Sequence, residues 1–86
     1  MDFYFKKKFI KKFKKLPVNI RTKFNENLEI FKINSHNIVL NNHALHGKYA
    51  DCRSINIMGD MRAVYREQGA NNILFIDIDN HPNLYK

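Results

Sequence analysis

The side chains best suited to chemistry lie in the second half of the chain and are mostly histidine, arginine and tyrosine. Histidine can give or take a proton near neutral pH, because its unperturbed pKa is about 6.5. Arginine keeps its charge and matches phosphate with a planar fork of donors, and tyrosine stacks on a nucleobase or donates its hydroxyl. The residues concerned are His43, Arg53, Arg62, Arg66, His81 and Tyr85. Together these types suit the recognition of phosphates and nucleobases.

Each candidate also has a plainer role when it is considered alone. Asp60 belongs to a Gly-Asp pair that is common in turns, and His43 can satisfy the carbonyl groups of a loop. Arg62 can be a surface cation or a contact for a protein partner. Tyr85 can fill the core against a sheet, and His81, which precedes a proline, can shape a turn.

The histidine spacing does not predict a metal site. His43 and His46 are three residues apart, with His36 and His81 elsewhere, but no His-Glu-x-x-His pattern or cluster of acidic ligands accompanies them. The single cysteine, Cys52, cannot form an internal disulfide or a paired-thiolate zinc site, which favours a buried, unreactive thiol. We therefore expect no metal and no other cofactor.

Charge narrows the classes of partner. Lys and Arg number 15 against 8 acidic residues, which gives a net charge of +7 and a pI near 9.7. A compact domain this basic attracts polyanions, because each phosphate contact releases counterions, although a solvated surface or one covered by an acidic protein explains the same composition. No apolar run approaches the ~20 residues that cross a bilayer, and no signal-peptide core follows the basic start. A cytoplasmic protein without a membrane partner is expected.

The elements that must position these side chains begin with a pair of helices. Residues 1–5 form a short aromatic segment suited to an edge strand. From Phe5 to Leu16, phenylalanines recur at helical spacing with lysines on the other face, and Pro17 ends this helix and suits the start of the next. The apolar positions of residues 20–31 predict a second helix, which residues 34–37 end. So short a connection predicts an antiparallel hairpin.

Three strands should follow a loop over residues 41–51. Alternation predicts them, separated by a Gly-Asp turn and a second turn over residues 68–72, at residues 52–58, 61–66 and 73–78. In the last strand, strict alternation places Leu74, Ile76 and Ile78 on one side. The order strand, helix, helix, strand, strand, strand predicts an α+β fold, with the hairpin on one face of a small, mainly antiparallel sheet. The opposite face, which carries Asn56 and Arg62, is expected to be exposed, cationic and suited to RNA.

Three short motifs, in a fixed order, resemble one family. The run N-H-A-L-H-G at 42–47 resembles the loop (D/N)-H-x-L-x-G of YafQ-type toxins. The arginine strand at 53–57, followed by G-D-M-R-A-V-Y at 59–65, is similar to the family's strand arginine and its x-D-x-R-x-V-Y. The run I-D-N-H-P-N-L-Y at 78–85 resembles I-G-x-H-x-x-L-(Y/F). The chain, residues 1–86 as one domain, is therefore similar to type II toxins of the RelE/ParE superfamily, in particular to YafQ-like members.

The resemblance implies a RelE-like fold and a metal-independent, ribosome-dependent endoribonuclease that cleaves mRNA. His43, Asp60, His81 and Tyr85 fall on positions that carry function in YafQ-type members, and Arg62 falls on the strand arginine of the RelE branch. In this chemistry the ribose 2′-OH attacks the adjacent phosphate. His43 is assigned as the base and His81 as the acid, with the two labels interchangeable at this stage. Asp60 assists the base, Arg62 holds the phosphate and Tyr85 positions the nucleotide.

The chain also departs from the family pattern at three positions. Asn56 stands where YafQ-type members often have histidine, Met61 where some have tryptophan, and Asp79 where glycine is usual. These departures bear on the rate and the proton pathway more than on the class of function. Further RNA contacts are expected from Lys48, Arg53, Asn56 and Arg66.

The resemblance implies two partners. One is mRNA on the 70S ribosome, and the other is a cognate antitoxin whose disordered acidic segment suits a surface of charge +7. The lysines of the first helix then suit ribosomal RNA better than a membrane, with simple solvation as the plainest interpretation. Two other functions stay open on the same fold. A ParE-type gyrase inhibitor would not need His43, Asp60 and His81, and an attenuated member would bind RNA or ribosomes without cutting.

Overall fold

Five strands and three α-helices make up the structure, a computed structural model that describes residues 1–85. In chain order they are β1 (Asp2–Phe5), α1 (Lys7–Lys14), α2 (Val18–Ile33), β2 (His43–Ala44), β3 (Arg53–Met58), β4 (Met61–Glu67), β5 (Asn72–Asn80) and α3 (His81–Leu84). The strands form one sheet in the order β1-β5-β4-β3-β2, with β1 parallel to β5 and every other pair antiparallel. The predicted α+β class is confirmed.

The two long helices pack against each other and the sheet through aromatic rings. The ring centroids of Phe9 and Phe13 each lie 5.3 Å from that of Phe24, and Phe31 reaches Tyr65 of β4 at 5.1 Å. Such tilted and edge-to-face contacts add to the free energy gained by burying apolar area. Among the helices of residues 1–85, none is both long and apolar enough to cross a membrane.

β1 lies at the sheet edge, as predicted, and pairs with only the first half of β5. Its register runs from Asp2 opposite Asn72 to Phe5 opposite Phe75. α1 follows directly and packs against β5, where its lysines reach two carboxylates of the second half of that strand. A strand and then a helix therefore protect this edge of β5 from pairing with another chain.

β5 contains a β-bulge that the sequence did not predict. Its register with β4 shifts by one residue between Val64 and Tyr65, which leaves Ile76 as the extra residue. Beyond a bulge the alternation of side chains reverses. Ile78 therefore packs in the core on the helix side, while Ile76 packs on the opposite face. The prediction that Leu74, Ile76 and Ile78 share one side is wrong for this reason.

The face of the sheet away from the helices is partly covered, and is not the open polar surface predicted. The segment over residues 41–51, predicted as an irregular loop, contains β2 and a 3-10 helix at Gly47–Tyr49. It folds over the sheet because its own apolar side chains need burial. They form a second apolar cluster with residues of β4 and α3, made of Leu45, Tyr49, Cys52, Val64 and Leu84.

Candidate functional site

An open cleft of about 300 Å³ lies between the β2 segment and α3. Its lining consists of His43, Ala44, Leu45, His46, His81 and Tyr85. Three of the residues predicted as catalytic, His43, His81 and Tyr85, therefore meet here although they lie far apart in the sequence. His46, which sequence analysis considered only as a metal ligand, shares the cleft. The His-x-x-His spacing was the sequence signal that could have placed His43 and His46 together on one segment of the cleft.

The ring of His43 is oriented by the backbone next to it. His43 pairs with Ser54 of β3, so its position is fixed by the sheet. Its Nδ1 lies 2.8 Å from the carbonyl oxygen of Asn41, a residue in the left-handed conformation with φ of 45°. A carbonyl can only accept, so Nδ1 carries the proton in this bond and Nε2 keeps its lone pair. This tautomer has the form that a general base requires.

His81 begins α3, and the short helix is anchored at both ends. The Asn80 side chain accepts from the backbone N–H of Asn83 at 2.9 Å, which caps the helix, and Leu84 is 1% exposed in the second apolar cluster. His81 and Tyr85 are four residues apart on one helical face, and their ring centroids lie 4.7 Å apart. An imidazole and a phenol ring are thus presented together at the cleft.

Asp60 and Arg62 lie at the neighbouring turn between β3 and β4 and do not line the cleft. The carbonyl oxygen of Asp60 accepts from the backbone N–H of His81 at 2.8 Å, so this turn and the start of α3 are in contact. Arg62 Nη1 donates to the carbonyl oxygens of Gly59 at 2.8 Å and Met61 at 3.1 Å. A backbone hydrogen bond thus places Asp60 beside His81, and Arg62 lies two residues after Asp60 in the chain.

Comparison with protein-family models and with curated proteins finds no match to the sequence, whereas solved structures match nearly the whole chain. The YoeB/ParE toxin from Agrobacterium tumefaciens superposes with a TM-score of 0.80 at 19% identity, over 94% of this chain and 99% of that chain. A copper-bound mutant toxin from Helicobacter pylori gives 0.79 at 27% identity, over 99% of both chains. YafQ from E. coli gives 0.73 at 17% identity, over 99% of this chain and 98% of that chain, and also matches within the DinJ–YafQ complex. The chain has the RelE/ParE toxin fold.

The residues predicted to bind RNA are dispersed on this RelE/ParE fold. Arg53 Nε donates to Asn42 Oδ1 at 2.7 Å, and Asn42 Nδ2 in turn donates to the Tyr65 hydroxyl at 2.7 Å. This network ties the loop before β2 to the sheet and engages the Arg53 guanidinium, and Arg53 is not part of the cleft lining. The Lys48 ammonium group lies 5.2 Å from the centroid of the Tyr49 ring. RNA binding by these two residues stays a prediction.

Asn56 and Arg66 belong to the face of the RelE/ParE sheet opposite the helices. Asn56 is paired with Arg62 across β3 and β4, and its Oδ1 is buried with no partner among the described residues. Arg66 lies near Cys52, which is buried at 6% exposure as predicted. Burial raises the pKa of the Cys52 thiol, and the charge of Arg66 offsets this only in part. The thiol is therefore protonated and unreactive near neutral pH.

The buried carboxylate of Asp77, which sequence analysis missed, joins α1 to the segment over residues 41–51. Asp77 is 2% exposed, and its oxygens lie 3.1 Å from Lys8 Nζ and 2.9 Å from Lys12 Nζ. The Tyr49 hydroxyl donates to the same carboxylate at 2.9 Å. Burial alone would raise the pKa of Asp77, but the bonds from Lys12, Lys8 and Tyr49 lower it overall. A carboxylate inside a predicted strand was the available signal, since such a group must meet a cation when it is buried.

No metal cluster is formed by the part of the chain that the structure describes. Within residues 1–85, no group of three or more His, Cys, Asp or Glu side chains is arranged to hold a metal ion. His43 and His46 share the cleft with His81, but their arrangement falls short of such a group. The cleft lining offers three imidazoles and one phenol, next to the turn that carries Asp60.

Proposed function

We propose that this chain is the toxin of a type II toxin–antitoxin system, and that it cleaves mRNA on the ribosome as a metal-independent endoribonuclease. The observation that carries the proposal is the placement of His43 and His81 on one open cleft with Tyr85. Two imidazoles supply both proton transfers that the reaction needs near neutral pH, so no metal ion is required. The likeness to YoeB/ParE-type and YafQ toxins supports the same class.

His43 is the better candidate for the general base. Its Nδ1 proton is engaged by the Asn41 carbonyl at 2.8 Å, which leaves Nε2 to accept a proton from the ribose 2′-OH. The oxygen so activated attacks the adjacent phosphorus, and the P–O5′ bond breaks. His43 ends the step as an imidazolium, which the Asn41 carbonyl stabilises through the Nδ1–H bond.

His81 is then the general acid. It donates a proton to the departing 5′ oxygen, which would otherwise leave as an alkoxide. The Tyr85 ring next to it offers a surface on which a nucleobase of single-stranded mRNA can stack, which places the scissile phosphate against the imidazole. The backbone bond from His81 to Asp60 and the cap from Asn80 keep the position of the acid fixed.

Arg62 and Asp60 serve the reaction from the neighbouring turn. The two hydrogen bonds of Arg62 among residues 1–85 both use Nη1, so Nε and Nη2 can meet the negative charge that develops on the phosphorane. The help that Asp60 would give to His43 stays a prediction, since its contact at the site is the backbone bond with His81. Asn56 replaces a family histidine and can offer only an amide, so the proton transfers rest on His43 and His81.

A cognate antitoxin is the second partner of this proposal. The E. coli YafQ relative is matched within a complex with DinJ, an antitoxin. An acidic, disordered segment would complement the charge of +7 on this chain and gain its order on binding. The toxin would then act in the cytoplasm, where ribosomes translate mRNA.

The decisive experiment is a primer-extension map of mRNA during in vitro translation, with and without ribosomes. Wild type should cut at fixed codon positions only when ribosomes are present. His81→Ala should lower cleavage by about 10²- to 10⁴-fold. His36→Ala is the matched control, because His36 is an exposed histidine outside the cleft and should cut as wild type does.

Other outcomes of this experiment would contradict the proposal in different ways. Ribosome binding without any cleavage would indicate an attenuated member. Intact translation with no cuts under any condition, together with inhibited DNA supercoiling, would indicate a ParE-type gyrase inhibitor and would reject the nuclease. Equal cleavage by His81→Ala and wild type would remove His81 from the mechanism.

A further inference from the structure

Tyr49 has two separate roles in the packing of the segment over residues 41–51. Its ring is buried at 8% exposure in the second apolar cluster, together with Leu45 and Leu84. Its hydroxyl reaches β5 and donates to Asp77 Oδ2 at 2.9 Å. Apolar burial has no preferred direction, whereas a hydrogen bond does. The ring therefore holds the segment on the sheet, and the hydroxyl fixes where on the sheet it lies.

The acceptor of this hydrogen bond is itself fixed from several sides. The oxygens of Asp77 lie 3.1 Å from Lys8 Nζ and 2.9 Å from Lys12 Nζ, and one of them accepts from the backbone N–H of Ile78 at 2.9 Å. Burial raises the pKa of the Tyr49 hydroxyl and the bond to Asp77 raises it further, so Tyr49 stays the protonated donor. A hydrogen bond to an ionised acceptor is about twice as strong as one between neutral groups. The bond is therefore a firm attachment to β5.

The residues just before Tyr49 form one wall of the cleft. The backbone N–H of Tyr49 donates to the carbonyl oxygen of His46 at 3.4 Å, and His46 directly precedes the 3-10 helix that Tyr49 ends. His43 lies on β2, three residues earlier, and both histidines line the cleft. This wall is thus fixed at one end by the pairing of β2 with β3, and at the other by the bond from Tyr49 to Asp77.

The opposite wall of the cleft is held by other bonds. His81 and Tyr85 are carried by α3, which is fixed by the Asn80 cap and by the bond from the His81 N–H to the carbonyl oxygen of Asp60. Neither bond involves the Tyr49 hydroxyl. Loss of that hydroxyl should therefore move one wall relative to the other. The proton transfers depend on this separation, because misplacing a catalytic group by about 1 Å can cost roughly 10²-fold in rate.

We propose that Tyr49 is a positioning residue of the cleft, whose hydroxyl, bonded to Asp77, holds His43 and His46 at the correct distance from His81. Among residues 1–85, Tyr49 is not part of the cleft lining, so it acts through the histidines and not on the mRNA. The inference rests on the proposed function, because it explains what keeps the general base in place. The position of the wall can nevertheless be measured without substrate, so failure of one proposal can be told from failure of the other.

The test compares Tyr49→Phe, which removes only the hydroxyl, with Tyr4→Phe, the same change at an exposed tyrosine of β1. In NMR spectra of the protein without RNA, Tyr49→Phe should shift the ring signals of His43 and His46 and leave those of His81 unchanged. In steady-state cleavage of ribosome-bound mRNA it should lower kcat by about tenfold and change KM by less than about twofold, because the stacking surface on α3 stays in place. Tyr4→Phe should match wild type in both measurements.

A double-mutant cycle tests whether the effect passes through Asp77. Asp77→Ala removes the acceptor, so adding Tyr49→Phe to it should lower kcat no further, because the bond is already absent. The NMR measurement needs only Tyr49→Phe, whose ring still fills the second apolar cluster. It therefore decides the question even if Asp77→Ala does not fold.

Three results would overturn the proposal. One is a further loss of kcat in the double variant, which would mean that the hydroxyl acts on something other than Asp77. Another is an equal shift of the His43, His46 and His81 signals, which would indicate a general loosening of the fold. The third is a Tyr49→Phe variant that matches wild type in both spectra and cleavage. If wild type does not cleave mRNA but Tyr49→Phe moves only the His43 and His46 signals, the nuclease proposal fails and the positioning role of Tyr49 stands.

Discussion

Lys12 Nζ of α1 lies 3.0 Å from Asp79 Oδ2, two residues before His81. The other carboxylate oxygen of Asp79 accepts from Asn83 Nδ2 at 3.1 Å and from the backbone N–H of Asn80 at 2.8 Å. One side chain thus joins α1 to α3, at a position where YafQ-type toxins usually have glycine. The segment that carries His81 is held by contacts that glycine could not make.

Replacing Asp79 by glycine should loosen this segment. We expect Asp79→Gly to lower the free energy of unfolding by about 1 kcal/mol, since the pair is partly exposed, and to lower cleavage several-fold because His81 is less well placed. Urea unfolding and primer extension measure the two effects, and the NMR signals of the His81 ring report its placement directly. Asp51→Gly, at an exposed loop aspartate, is the control. Unchanged His81 signals and cleavage would show that Asp79 has no positioning role.

Acid should destabilise the protein through the carboxylates on β5. Burial alone would raise the pKa of Asp77 and of Asp79, but their lysine bonds lower both below the usual 3.8. A lowered folded pKa means that the stabilisation is complete above about pH 5 and is lost as the pH falls through the folded values. Asp77→Asn should cost about 2 kcal/mol at neutral pH and should flatten this acid dependence. Urea unfolding at several pH values tests it, and a variant curve parallel to that of wild type would contradict the assignment.

Tyr85 should act through its ring. Tyr85→Phe keeps the surface beside His81 and should cleave within about twofold of wild type. Tyr85→Ala removes the surface and should raise KM by tenfold or more, because stacking on an aromatic side chain contributes about 1–3 kcal/mol per base. Steady-state cleavage of ribosome-bound mRNA separates KM from kcat. If both variants lose activity equally, the hydroxyl is the functional group and the stacking role is wrong.

The two neighbouring histidines of the cleft should differ in effect. His43→Ala should lower cleavage by about 10²-fold or more, whereas His46→Ala should lower it only a few-fold. The wild-type profile of kcat/KM against pH should be bell-shaped, and loss of the base should remove its acidic limb. Single-turnover cleavage across pH measures this. Loss of the basic limb in His43→Ala would instead make His43 the acid and His81 the base.

Much of the fold could be predicted because local signals agreed with the tertiary structure. The phenylalanine spacing of α1, the proline before α2 and the Gly-Asp turn between β3 and β4 each appear where the sequence places them. The two-residue β2 strand escaped prediction, because so short a strand has no alternation of its own and is created by pairing with Arg53 and Ser54. The bulge at Ile76 escaped for a related reason, since it arises from the register between two strands.

The candidate site was predictable only in part. The motifs predicted His43, His81 and Tyr85 together, and the structure brings them to one cleft. Composition could not reveal that Arg53 is engaged by Asn42, because that bond joins residues on either side of β2. Composition also could not reveal that Asp77 forms ion pairs with two lysines of α1. These lysines lie 69 and 65 residues before Asp77, and only the order of the strands in the sheet brings the groups together.

The pairing of the first strand with the last has a consequence during synthesis. β1 pairs with Asn72–Phe75, and the rings of Phe3 and Phe5 both pack against the ring of Phe75. A nascent chain that has not yet produced β5 can form its helices but cannot close the sheet, and it also lacks His81. Contacts between such distant segments form late in folding. An unfinished copy of this protein would therefore lack both the closed sheet and the complete cleft.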